Sequence, residues 1–342
     1  MKKLIILSTF TVCFGSSQGL AQYNKENLKI KGSSAEITNT APADFDMSYS
    51  FENLRLYPII ANSGFHAEHK DLGNFVLLKE AMDKKKIIIT ETGGTNQLNN
   101  TIEQSNRNIN VSGTVNTLIA KNDSKDTVFI MAGEVVKGGK QDRVVAQDII
   151  ILPGDKVDLS AFCVEKNRWS TKDGNNGKFT GTYNVANMDI RKTVTTEKNQ
   201  SQVWKKVDEQ TAKNGASSST STYTNLENSE EYQENLKKYM EVFQASFKDD
   251  KNVIGVIAVT GDKVMGCDMF ATHDLFINSY EGLIHSYIGE AITNGKPVTI
   301  SNDEVFKYLD KILIEESKQN ETIKQNGDVY EWNNKKVHIS TY

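Results

Sequence analysis

An α+β fold is predicted, with short, mainly antiparallel strands first and helices segregated into the C-terminal half. Strand-like runs rich in β-branched residues dominate as far as Val164. Helical spacing dominates after Gln202. The two kinds of segment do not alternate as βαβ units would.

The chain has 342 residues, and residues 1–21 read as a cleavable export leader. Met1-Lys2-Lys3 is basic, Leu4 to Phe14 is mostly apolar, and Gly19-Leu20-Ala21 ends in small residues, which predicts cleavage before Gln22 and a periplasmic or secreted protein. Lipidation at Cys13 is disfavoured because Val12 precedes it where a small residue is wanted. Residues 22–46 are polar and aperiodic apart from Leu28 to Ile30, and read as a flexible arm leading into one domain over 47–342.

Leu54 to Ala61 predicts a strand, Phe75 to Lys84 a strand or short helix, and Lys86 to Thr90 a strand. Val115 to Ala120 and Thr127 to Ala132 follow as strands around the Asn122-Asp123-Ser124 turn. Arg143 to Leu152 and Lys156 to Val164 flank Pro153-Gly154-Asp155 and predict a hairpin. The two-residue strand period puts Leu159, Ala161 and Cys163 on its apolar face.

Gln202 to Ala212 predicts a helix, and the Ser/Thr-rich stretch near 214–228 a mobile loop without chemistry. Glu231 to Phe247 carries an apolar stripe at three- and four-residue spacing, with Asn228 or Ser229 as cap. Val253 to Val259 and Val264 to Phe270 form a second hairpin across Gly261-Asp262. Tyr280 to Ile292 and Asp303 to Ile314 are helical, the latter behind a Ser301…Glu304 capping box. Strand-like pieces with Asn326-Gly327 and Asn333-Asn334 turns end the chain.

The composition, 38% hydrophobic and 25% charged, supports a full core. A net charge of −4 with both signs interspersed argues against nucleic acid or an anionic lipid surface as partner. No run after the leader reaches the roughly 18 apolar residues of a transmembrane helix. Cys163 and Cys267 either form one bridge or sit as small core residues.

Common catalytic signatures are missing: the nucleophile elbow, the Walker loop, the zinc-protease helix and the dinucleotide glycine motif. No cofactor or metal is implied. His66 and His69 lack further ligands at metal spacing, His273-Asp274 and His285 lack a matching nucleophile, and Cys163 faces inward. The remaining cluster is Glu134, Lys140, Gln141, Asp142, Arg143, Glu165, Arg168 and Trp169, which antiparallel pairing is expected to gather at one hairpin end. Gly138-Gly139 suits an anion nest, the three cations offer charge-assisted donors and Trp169 a stacking face. The alternative is an ion-pair network that fixes the hairpin end.

The run GEVVKGGKQDRVV, followed by FCVEKNRWS, resembles the hallmark of the ARG and rhodanese-phosphatase-superfamily-associated protein domain (ARPP), a domain of unknown function. Gln202 with Trp204, Gly255 to Val259 with its Gly261-Asp262-Lys263 turn, and Asp268-Met269-Phe270 agree in order, so the likeness spans about Phe51 to Ile292. Lys166-Asn167 stands where the family segment carries Gln-Gly. The family's name implies a link to ADP-ribose or nucleotide-derived chemistry, by association alone. The expected function is therefore binding of a polar or anionic small molecule at Glu134, Lys140, Gln141, Arg143, Glu165, Arg168 and Trp169. The alternatives are a hydrolase with Glu134 or Glu165 as general base, and an envelope-associated interaction protein.

Overall fold

The computed structural model describes residues 23–31, 49–92, 117–171 and 177–342. The expected leader, residues 22 and 32–46 of the expected arm, and the first two residues of the strand expected from Val115 lie outside them. Strands β1 (Leu28–Ile30), β2 (Ser50–Phe51) and β3 (Leu54–Ala61) are followed by α1 (Ser63–His69), β4 (Val76–Leu77) and α2 (Leu78–Asp83). Strands β5 (Ile87–Glu91), β6 (Thr117–Asn122), β7 (Val128–Ile130), β8 (Glu134–Gly138), β9 (Arg143–Val145), β10 (Ile149–Ile151), β11 (Lys156–Cys163) and β12 (Phe179–Val185) come next. Then come α3 (Met188–Lys192), α4 (Gln200–Lys213), α5 (Glu230–Phe243), the hairpin β13 (Val253–Thr260) and β14 (Lys263–Phe270), and helices α6 (His273–Asn294), α7 (Asn302–Ile312) and α8 (Glu316–Lys324). The hairpin β15 (Gly327–Trp332) and β16 (Lys335–Thr341) closes the sequence. The fold is α+β.

The larger sheet runs β1-β3-β13-β14-β16-β15, with β2 beside β3, and every pair in it is antiparallel. Central β13 is buried at all eight positions because both faces are covered. Val256 and Ala258 pack into the core shared with α5 and α6, whereas Ile257 and Val259 pack into the core shared with α7. This explains an apolar run where a one-sided sheet would alternate.

The second sheet, β12-β8-β9-β11-β6-β5, closes on itself through a Thr90–Lys178 bridge and a bond from the Glu91 N–H to the Gly177 carbonyl at 2.9 Å. Ile89, Ala120, Val136, Val145 and Leu159 fill its interior against Leu78 and Ala81 of α2. A main core joins the two sheets, taking Met131, Val135 and Val185 from one and Leu56, Val256 and Phe270 from the other.

Three expectations need correction. Residues 23–31 are docked: β1 pairs with β3, Tyr23 is buried, and its carbonyl accepts from Gln319 Nε2 at 2.6 Å. The predicted strand Arg143 to Leu152 breaks after Val145, and β10 joins a separate three-stranded sheet with β7 and β4. The break buries Asp148, whose carboxylate accepts from the Ala132 N–H at 2.7 Å. The Ser/Thr-rich stretch is no free loop, since Tyr223–Asn228 forms a 3-10 turn with Tyr223, Thr224 and Leu226 buried. Of the two states open to Cys163 and Cys267, the structure has the second: both are free and buried in the core.

Elsewhere the local signals hold. Ser229 caps α5, and Tyr232, Leu236, Tyr239 and Phe243 bury its stripe at roughly 1.5–3 kcal/mol each. Ser301 and Glu304 form the capping box of α7. α6 begins seven residues earlier than predicted, at His273, because the Thr272 hydroxyl caps Leu275 N–H and the helix lies buried between α5 and β13.

Candidate functional site

Register brings the two halves of the hairpin cluster together: Cys163 lies opposite Arg143. What forms there is a closed knot. Arg143 sends Nη2 to both oxygens of Glu91 at 3.1 and 3.2 Å, and Nη1 to Gln141 and to the Cys163 sulfur. Arg168 grips Glu165 with Nε and Nη2, the shortest contact being 2.6 Å, and also donates to the carbonyls of Gly138, Gly139 and Ser170. Asp142 is fully buried, accepting from the Gly138 N–H at 2.9 Å and from the hydroxyls of Thr222 and Thr224 at 3.1 and 2.9 Å. Glu165 also receives the Asp142 N–H at 3.0 Å.

The expected anion nest is filled by the protein itself. Gly138 N–H goes to Asp142, Gly139 N–H to the Lys178 carbonyl at 3.0 Å, and Lys140 N–H to Glu91 at 3.2 Å. Gly139 has φ +53°, and a Cβ there would meet the Phe179 ring at 2.6 Å, so the glycine serves close packing. Gln141 is buried and donates to the Lys166 carbonyl, whereas the Lys140 side chain points to solvent. Trp169, 60% exposed, belongs neither to the core nor to the knot.

Glu134 is not part of this knot. It begins β8 while Gly138 ends it, so the strand's length separates them, and Glu134 lines a cavity of about 70 Å³ between β8, β12 and α6. Leu77, Phe129, Met131 and Val185 supply its apolar wall; Asn184, Asn278 and Ser279 supply polar groups. The Glu134 carboxyl accepts from the Met131 N–H at 2.7 Å. Burial, reinforced by the nearby Asp148 carboxylate and opposed by that hydrogen bond, pushes it up to about 8. The Ser279 hydroxyl is buried on the cavity wall with no hydrogen-bond partner.

Behind Glu134 runs a buried relay. His338 joins Asp148 through Nδ1 at 2.5 Å and Asp268 through Nε2 at 3.0 Å. Asp268 in turn takes both Arg191 Nη groups at 2.7 and 3.1 Å and the Tyr287 hydroxyl. Burial alone would lower the His338 imidazole, but the charge of Asp148 and hydrogen bonds to both carboxylates raise it to about 9. Burial would raise Asp268, and Arg191 overrides it, holding the carboxyl well below the usual range. Sequence reading missed these groups; a lone Asp in β14 and a lone His in β16, each amid buried apolar neighbours, were the available signals.

The other histidines do not assemble a site. His69 Nδ1 meets the Phe65 carbonyl and His273 Nδ1 the Val253 carbonyl, so Asp274 does not orient His273. His285 pairs with Asn184 at 3.2 Å. Among the described residues no group of three or more His, Cys, Asp or Glu is placed to hold a metal ion, and no helix is long and apolar enough to cross a membrane.

A family model described as ARG and Rhodanese-Phosphatase-superfamily-associated Protein domain matches residues 43–341, past both ends of the motif-bearing span. No curated protein and no solved structure matches the chain.

Proposed function

The chain belongs to the ARG and Rhodanese-Phosphatase-superfamily-associated Protein domain family, and from that premise we propose that it is a small-molecule-binding module whose site is the cavity between Glu134 and Ser279. This shifts the binding reading from the Gly138 to Trp169 end, where both Arg143 Nη groups and all three Arg168 nitrogens already donate to protein acceptors and only the buried Arg143 Nε is left over. The carrying observation is the convergence of Glu134, Asn184 and Asn278 with the apolar Leu77, Phe129, Met131 and Val185 on one cavity. Small-molecule sites have this form, a concave and mostly apolar wall with a few converging polar groups.

Glu134 fits this use. With its carboxyl near 8 it is mostly protonated at neutral pH, so one oxygen keeps the Met131 N–H while the other offers an O–H donor to the cavity. The test is a thermal-shift screen of sugars, polyols, amides, sugar phosphates, nucleotides and ADP-ribose against the wild type and Ser279→Leu, which fills the cavity. Hits that raise the wild-type melting temperature and vanish in Ser279→Leu support the reading. Hits that persist in the variant, or a panel with none, overturn it.

The same carboxyl favours a second reading, a hydrolase-like enzyme with Glu134 as general base. Glu165 drops out as a base because Arg168 and the Asp142 amide hold both its oxygens. Turnover should then rise with pH through about 8 and disappear in Glu134→Gln. Export remains part of the proposal on the strength of the leader-like residues 1–21. N-terminal sequencing of the mature protein should begin at Gln22, and an intact Met1 would overturn it.

A further inference from the structure

The cavity lined by Glu134 and Ser279 has a neighbour. A second hollow of about 260 Å³ opens beside it, formed by Asn74 and Phe75 ahead of β4 and by Thr272, Asp274 and Asn278 on α6. Asn278 walls both hollows. Positions 274, 278 and 282 are one helical turn apart, as are 275 and 279, so one face of α6 floors both hollows, with Asn278 at their common border. Phe75 of the outer hollow and Phe129 of the inner one meet at 6.3 Å between ring centres.

Resting on the cavity reading above, we propose that these paired hollows take an uncharged, hydroxyl-rich ligand of the sugar or polyol class. The ring lies in the outer hollow, and a single hydroxyl-bearing tip enters the inner one, which at about 70 Å³ is too small for a ring. The amides of Asn74, Asn184 and Asn278, the hydroxyls of Thr272 and Ser279 and the carboxyls of Glu134 and Asp274 line the two hollows and give both donors and acceptors, the complement of a sugar's hydroxyls. Thr272 accepts from the Leu275 N–H at 3.1 Å, which leaves its own proton to donate. Phe75 supplies an apolar face for the ring's C–H groups.

Charge decides against an anionic ligand. The outer hollow has no lysine or arginine in its lining. Lys79, at the inner rim, is paired with Glu281 at 3.3 Å. The first turn of α6, whose N–H groups would attract a phosphate, already carries the Asp274 carboxylate.

Saturation-transfer NMR with D-ribose, D-glucose and ribose 5-phosphate tests this on wild type, Ser279→Ala and Asn278→Leu. Asn278 is exposed, so its substitution leaves folding intact, as an unchanged melting temperature will verify. The expected result is saturable binding of a neutral sugar, weakened at least tenfold by each substitution, with ribose 5-phosphate at least tenfold weaker than D-ribose. Equal or tighter binding of the phosphorylated sugar, lost in the same variants, overturns the uncharged class while sparing the cavity. Binding of no probe, or binding indifferent to both substitutions, overturns the cavity reading as well.

Discussion

His338 and Asp148 lie 190 positions apart and meet at 2.5 Å, so a buried imidazole on the last strand ties the larger sheet to the segment that leaves the closed sheet after β9. The ring also bridges to Asp268, which makes it the middle of a core-spanning chain of charge. His338→Leu leaves two buried carboxylates short of a partner and should destabilise the protein by about 3–5 kcal/mol in chemical denaturation. A loss below about 1 kcal/mol would show that the relay is energetically idle.

Two raised groups give stability a defined alkaline dependence. The folded pKa of His338, about 9, lies above the ordinary imidazole value of about 6.5, so its contribution is complete below 6.5 and disappears as pH rises through 9. Glu134, raised to about 8, acts in the same direction from its unfolded value of about 4.3 upward. The melting temperature should therefore fall by roughly 5 °C between pH 6.5 and 9.5. Glu134→Gln should flatten the fall below pH 8, and an unchanged slope would remove Glu134 from the account.

The Gly138 to Trp169 knot predicts structural loss. Arg168→Ala strips Glu165 and Asp142 of a buried partner and should cost about 3–5 kcal/mol, and Glu165→Gln a smaller but measurable amount. Trp169→Ala should stay within about 0.5 kcal/mol because the ring is 60% exposed. Intact stability in Arg168→Ala would reopen that end as a ligand site.

Thr222 and Thr224 both donate to Asp142, so the double change to Ala should cost about 2–3 kcal/mol by leaving a buried carboxylate under-bonded. Protease resistance across 214–228 should drop in parallel. Wild-type resistance in the variant would restore the picture of a detached loop.

Much of this was legible locally. Strand parity placed Cys163 inside, antiparallel pairing joined residues 138–143 to 165–169, and Ser301 with Glu304 capped α7. What sequence hid was distance. Glu134 looked like a member of the hairpin-end cluster, but five residues of β8 at about 3.3 Å each carry it to the opposite end. Partners such as Glu91 for Arg143, 52 positions away, and His338 for Asp148 are tertiary pairings that no local period reports. Ser279 is one hydroxyl on a helix face until β8 and β12 close over it.

The cavity claim is tested most directly by observing its wall. Met131 lines it, whereas Met188 and Met265 lie in the core beyond it. In protein labelled at the methionine methyls, titration with D-ribose should shift the Met131 resonance saturably and leave Met188 and Met265 in place. A silent Met131 across the sugar and sugar-phosphate panel would contradict the account.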